Sequence, residues 1–284
     1  MATMTLEQVT GQLQAAYGGA LRAVVLYGSG ARGPATPAAA RPTAAGAVPR
    51  GGYDLLVLVD DLGMEELRRV APTTRAWIEA GNPAPLTLTT FEWRASADVF
   101  PMEYADVLEA HRVLAGTLPL DGIAVDPRDL RHQLEHQTLG ALLQLRGGIL
   151  ASGNDGSRLL RLLEASRSTI LVLFRTLARL HGVSALTDAG ALADWAGKTA
   201  RFDAAPFLRV IAHAGQPGGA TPGGMPRQVA LAPGDAAGVL AGYLVALERL
   251  VAHVDAVRIG PAPSDAARSD LAGGALPGGP PERR

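Results

Sequence analysis

The residues best suited to chemistry lie at the ends of two apolar runs. Ala23-Val24-Val25-Leu26-Tyr27 leads straight into Gly28-Ser29, and Asp54 opens the run Leu55-Leu56-Val57-Leu58-Val59. A Gly-Ser turn lets backbone amides and a hydroxyl come close to phosphate oxygens. Carboxylates hold Mg²⁺ or Mn²⁺, which offset phosphate charge and align the attacking and leaving oxygens of a transfer. Two acids at i and i+2 on a strand point the same way and can share a metal, with a third acid from a neighbouring strand completing the cage. The position two before Asp54 is Gly52, which brings no ligand, and Arg50 places positive charge nearby. Asp60 and Asp61 do not substitute, because Asp60 lies about 20 Å further along an extended strand.

Two other spacings point to different chemistry. Gly28 to Gly33 spells Gly-x-Gly-x-x-Gly, and Asp54 follows at about the twenty-residue separation of a dinucleotide-binding unit. That mechanism needs a helix starting at the turn, whose N-terminus holds the pyrophosphate. Pro34, Pro37 and Pro42 stand where that helix would run. The bland alternative is an ordinary glycine turn before a buried strand. His132-Gln133-Leu134-Glu135-His136 matches an inverted zinc-hydrolase motif, two histidines at i and i+4 with an acid between them. No downstream acidic ligand can be picked out, and two histidines on a polar helix face are ordinarily solvated. His181 and His253 sit near helix C-termini, where a cation offsets the dipole. Trp77, Trp93 and Trp195 are scattered and read as packing residues.

The elements that must position these groups change character along the chain. Thr5 with Gln8 three residues later starts a helix that Gly18-Gly19 stops. The Ala23 run is the first strand and the Asp54 run the second. Residues 34–50 carry repeated prolines among alanines and read as an inserted loop. Residues 64–71 and 73–80 read as two short helices, Leu86–Leu88 as a strand, Phe91–Val99 as helical and Met102–Val107 as a further strand. Beyond about Asp121 only helices are expected. Asp126-Pro127 starts one that runs to about Leu150. Others cover Ser157–His181, Ala189–Gly197 and Pro206–Ala214. The last carries Val239, Leu240, Tyr243, Leu244, Leu247, Leu250, Val251 and Val254 at helical spacing. That stripe reads as bundle core, and an exposed version of it would make a homodimer. From Gly260 the tail is rich in Gly, Pro, Ala and charge and is expected to be disordered.

Bulk properties exclude several classes. The chain has 284 residues, 48% of them apolar, enough for two cores. A net charge of −1 argues against an extended nucleic-acid surface. The absence of cysteine removes disulfides, thiolate metal sites and a cysteine nucleophile. Lys198 is the only lysine, which reads as a GC-rich genome. No signal peptide is visible, and the apolar run Ile170–Leu180 is broken by Arg175 and Arg179. No segment is expected to span a bilayer. The expected location is cytoplasmic, with no membrane partner.

The strand–turn–strand region resembles the nucleotidyltransferase superfamily that includes the aminoglycoside nucleotidyltransferases and their minimal relatives. Their pattern is Gly-Ser, a few residues, Arg-Gly, then Ser-Asp-x-Asp before an apolar strand. Gly28, Ser29, Arg32, Gly33 and Asp54 match it, while Gly52 stands where the family has its first metal acid. Residues 99–107, followed by Arg112-Val113-Leu114-Ala115-Gly116, are similar to the segment that carries the third acid in one bacterial branch. Glu103 takes that place ahead of Asp106. Arg131, Glu135 and Leu145-Arg146 are similar to the helical bundle attached in that branch, in which Glu135 would be a base; the plainer alternative is an acid at an interdomain hydrogen bond.

The resemblance implies an α+β fold: a mixed-sheet nucleotidyltransferase core over residues 1–122, a helical bundle over 123–258 and a tail over 259–284. It implies transfer of a nucleoside monophosphate from a Mg²⁺-bound (or Mn²⁺-bound) nucleoside triphosphate, ATP among them, to a small-molecule or protein acceptor. Gly28, Ser29, Arg32 and Gly33 would bind the nucleotide, Asp54 and Glu103 would hold the metal, and Gly52 would leave activity weak or lost. The competing class is a catalytically degenerate module that binds a nucleotide or a protein.

Overall fold

The computed structural model describes residues 4–31, 52–183, 186, 188–214 and 231–259. The proline-rich segment, Arg32, Gly33 and the tail from Gly260 lie outside the described residues, as does the side chain of Ser29.

Helix α1 (Leu6–Tyr17) begins at a Thr5–Gln8 capping box and buries Val9, Leu13 and Tyr17. Strand β1 (Leu21–Tyr27) follows, then a single tight turn over Gly28–Gly30, then β2 (Asp54–Val59). Helix α2 (Met64–Glu79) leads to β3 (Leu86–Thr89), α3 (Thr90–Ala95), α4 (Pro101–Glu109) and β4 (His111–Gly116). The four strands form one mixed sheet in the order β3-β2-β1-β4. β1 runs antiparallel to both β2 and β4, and β2 runs parallel to β3.

β1 and β2 are apolar at nearly every position because both faces of the sheet are covered. Side chains alternate sides along a strand. Val24, Leu26, Leu55, Val57 and Val59 pack with α1 and α2. Ala23, Val25, Leu56 and Leu58 pack with Trp93, Tyr104 and Val107 of α3 and α4.

Three local expectations are corrected. Residues 64–71 and 73–80 form one helix that carries Pro72 inside it. Proline removes a single backbone hydrogen bond, and Val70, Thr73 and Trp77, one helical face, hold the helix to the sheet. Met102–Val107 is helix α4, not a strand. Pro101 occupies its first turn, and Tyr104 and Val107 are buried at i and i+3. The strand beside β1 on that side is His111–Gly116. The third correction concerns length and apolarity. Pro233–Ala256 is long and apolar enough to cross a bilayer by composition.

The remaining helices are α5 (Pro127–Ser152), α6 (Gly156–Leu180), α7 (Ala189–Ala200), α8 (Ala205–Ala214) and α9 (Ala236–Ala256). Asp126, Asp155 and Asp188 each cap a helix with a side-chain oxygen that accepts from backbone N–H groups. Leu134, Leu142, Leu163, Ile170, Phe174, Leu177, Leu247 and Leu250 form a separate apolar cluster in this bundle. Most of the 239–254 stripe of α9 is buried there, with Val239, Leu240, Tyr243 and Val254 nearly inaccessible and Leu244 and Val251 half-buried. Its apolarity is that of a helix packed against α5 and α6.

The sheet and the bundle meet through α4. Met102 belongs to the bundle's apolar cluster, and its backbone N–H donates to Gln133 Oε1 at 2.7 Å.

Candidate functional site

The register of β1 against β2 pairs Tyr27 with Asp54, so the Gly28 turn and the acid emerge together at one end of the sheet. Gly28 has φ of +68°, and a Cβ built there would lie 3.0 Å from Asp54 Oδ2. Glycine is therefore required twice, by backbone conformation and by the carboxylate lying against its α carbon.

Two acids on α4 approach the same end. Glu103 and Asp106 are one helical turn apart on α4, and with Asp54 their charges hold the Tyr27 hydroxyl protonated beyond its ordinary range, after burial as the main cause. Asp54 itself is pushed upward, first by burial and then by the charge of Asp106, while Arg175 pulls it down. Glu103 Oε2 accepts from Gln133 Nε2 at 3.0 Å. Of the two α4 acids, Asp106 is the one whose charge registers on Asp54.

The bundle supplies the opposing charge. Arg179 of α6 pairs with Asp106, and its Nε donates to Glu109 Oε2 at 2.6 Å. The Arg179 and Asp106 side chains are only 11% and 14% exposed, so this pair is shielded from bulk screening. Arg175 lies one turn earlier on the same face of α6.

Gly52 has a structural reason to be glycine. A Cβ there would lie 2.6 Å from Pro83 Cδ and 3.1 Å from Asn82 Cα. Asn82 Oδ1 accepts the Tyr53 N–H at 3.1 Å, and its Nδ2 donates to Trp77 O at 3.2 Å. The turn after α2 is thus tied across the position where a first metal acid would stand. Asp60, at the other end of β2, pairs with Arg22.

A Mg²⁺ or Mn²⁺ cage needs several oxygen ligands on one point. Among the described residues no three Asp, Glu or His side chains converge that way. Gly52 contributes nothing, Glu103 is engaged by Gln133 and Asp106 by Arg179. The described residues do not fit the cage that Asp54 and Glu103 were expected to begin.

Glu135 lies apart from this cluster. It pairs with Arg131 at 3.0 Å, and Arg131 also donates to the carbonyls of Asp255 and Val257 at the end of α9. His132 and His136 are exposed, and with Glu135 turned to Arg131 the zinc-hydrolase spacing assembles no site among the described residues. The dinucleotide reading meets a topological obstacle, since β1 and β2 are antiparallel whereas that unit needs parallel strands. Tyr27, Gln133, Arg175 and Arg179 were not picked out from the sequence as site residues. The available signal was the pair of arginines, four residues apart, that interrupts the apolar run of α6.

No protein-family model matches the chain, and no curated protein matches it. Among solved structures, the chain is similar to a spectinomycin adenyltransferase from Enterococcus faecialis, solved with ATP and spectinomycin. The similarity covers 88% of this chain and 98% of that one, with a TM-score of 0.52 and 12% sequence identity. At that identity the likeness is one of fold. The α+β arrangement, a mixed sheet followed by a helical bundle, is a nucleotidyltransferase-like fold.

Proposed function

We propose that this protein binds a nucleoside triphosphate at the shared end of β1 and β2, and that its transfer of a nucleoside monophosphate is weak or lost. The observation that carries the reading is the Asp54 carboxylate lying against the Gly28 turn, in a fold similar to that of an adenyltransferase solved with ATP. Gly28 and Ser29 would take phosphate, Arg32 and Gly33 would extend that contact, and Asp54 with Glu103 would border the reacting end. The weak-or-lost clause rests on Gly52, where Pro83 fills the space of the missing acid. Electrostatic stabilisation is usually the largest catalytic contribution, so an incomplete acid set costs several orders of magnitude in rate. Glu135, held by Arg131, is assigned a structural part rather than that of a base.

The test has two arms. Calorimetry with ATP measures binding, and radiolabelled nucleoside triphosphates incubated with spectinomycin, other aminoglycosides and cell extract measure transfer. Micromolar ATP binding that Gly28→Val abolishes, with little label transferred, is the expected result. Robust transfer removed by Asp54→Ala would establish an active enzyme instead. No ATP binding at millimolar concentration would overturn the reading altogether.

A further inference from the structure

We propose that a cleft in the helical bundle, lined by α5, α6 and α9, binds a single-ring apolar molecule that carries one hydroxyl donor. The cleft has a volume of about 130 Å³. That is close to the roughly 150 Å³ of an apolar cavity that takes up benzene. Leu145, Ile170, Tyr243 and Leu247 form its innermost lining and are almost wholly buried. Ala141 and Leu162 line its sides, and the exposed Ala165 lies at its rim. Ser166 in this lining is about 20 Å along α6 from Arg179, at roughly 1.5 Å per residue. The cleft is therefore separate from the Gly28–Asp54 end of the sheet, which α6 approaches through the pairing of Arg179 with Asp106.

The hydrogen bonds select the ligand. Ser166 Oγ donates to the Leu163 carbonyl at 2.8 Å. A serine hydroxyl has a single proton, so Tyr243 is the donor in the 2.7 Å contact between Tyr243 Oη and Ser166 Oγ. Burial, opposed by the Ser166 bond, raises the Tyr243 hydroxyl above its ordinary range, so it keeps that proton at neutral pH. Both protons are then committed, and the pair offers the cleft only oxygen lone pairs. A ligand hydroxyl matches them, whereas an ether or a ketone finds no donor in the pair. The other polar lining residues, Gln144 and Thr169, are exposed and solvated. Water alone fits less well, because a held water needs two to four polar partners and most of the lining is carbon.

This inference stands apart from nucleotide binding, and its probes are p-cresol and anisole. They are isomers, and only the cresol has a hydroxyl donor. Each is titrated with the full chain, and binding is followed by broadening of its methyl proton resonance. p-Cresol is expected to bind with a dissociation constant of about 1 mM, at least roughly tenfold tighter than anisole. Ala165→Phe, whose ring would occupy the cleft from its rim, is expected to abolish binding with circular dichroism unchanged. In Ser166→Ala the Tyr243 hydroxyl has a proton to give, so anisole gains and the ratio of the two affinities falls towards one. Absence of p-cresol binding up to its solubility limit would overturn the proposal. So would equal affinity of the wild type for both isomers, binding that survives Ala165→Phe, or a ratio that Ser166→Ala leaves unchanged. If either variant fails to fold, the wild-type ratio and the other variant decide.

Discussion

At Asp54, burial and the neighbouring charge of Asp106 outweigh the pull of Arg175, so the ionised form is costly. A carboxyl whose folded pKa lies above its unfolded value of 3.8 contributes stability below that value and loses it as pH rises through the raised pKa. Asp54→Asn is therefore expected to unfold at a higher temperature than wild type at pH 7, with the difference closing towards pH 4 in a pH series of melting curves. A variant less stable than wild type at neutral pH would show that the arginines dominate. Gly52→Asp should behave in the opposite sense. Overpacking against Pro83 costs roughly 1–3 kcal/mol, measurable by urea unfolding. The acid at 54 and the glycine at 28 were legible in the sequence because their spacing to the two apolar runs survives. The clash at 52 was not, because Pro83 is brought there by the turn after α2 and not by sequence neighbourhood.

The helices and strands show where pattern reading succeeds and where it misleads. β1, β2, α5, α6 and α9 announce themselves through long apolar runs or well-marked caps. α4 does not, because Met102, Tyr104 and Asp106 alternate like a strand, and only Pro101 with the Tyr104–Val107 pair marks the helical period. What fixes α4 is a contact distant in sequence. The Tyr104 ring stacks on Trp93 with centroids 4.2 Å apart, and its hydroxyl donates to the Trp93 carbonyl at 2.6 Å. Burial first, then Asp98 and Glu92, push that hydroxyl up to about 12, so it stays a donor across the physiological range. Tyr104→Phe keeps the stack and strands the carbonyl, a loss of about 1–3 kcal/mol. Because α4 carries Glu103 and Asp106, the same variant should also weaken ATP binding in calorimetry if α4 shifts. Unchanged stability would mean that the hydroxyl bond contributes nothing.

Across the whole molecule, α4 belongs to two cores. Its Tyr104 and Val107 lie under the sheet while Met102 lies in the bundle, and Gln133 and Arg179 fasten it from α5 and α6. Removing either core exposes a face of the same helix. Thermal unfolding is expected to be one transition, with the signals of Trp77 and Trp93, on the helices packed against the sheet, coinciding with that of Trp195 in the bundle. Arg179→Gln should pull them apart by several degrees, and two separated transitions in the wild type would contradict the shared-core account. The turn at Gly81–Pro83 also constrains the chain's history. Glycine and aspartate codons differ by one base, so position 52 lies a single substitution from an acid. That substitution meets Pro83 before it meets any ligand. Mutation supplies the acid in one step, and the fold meets it with an overpacked turn.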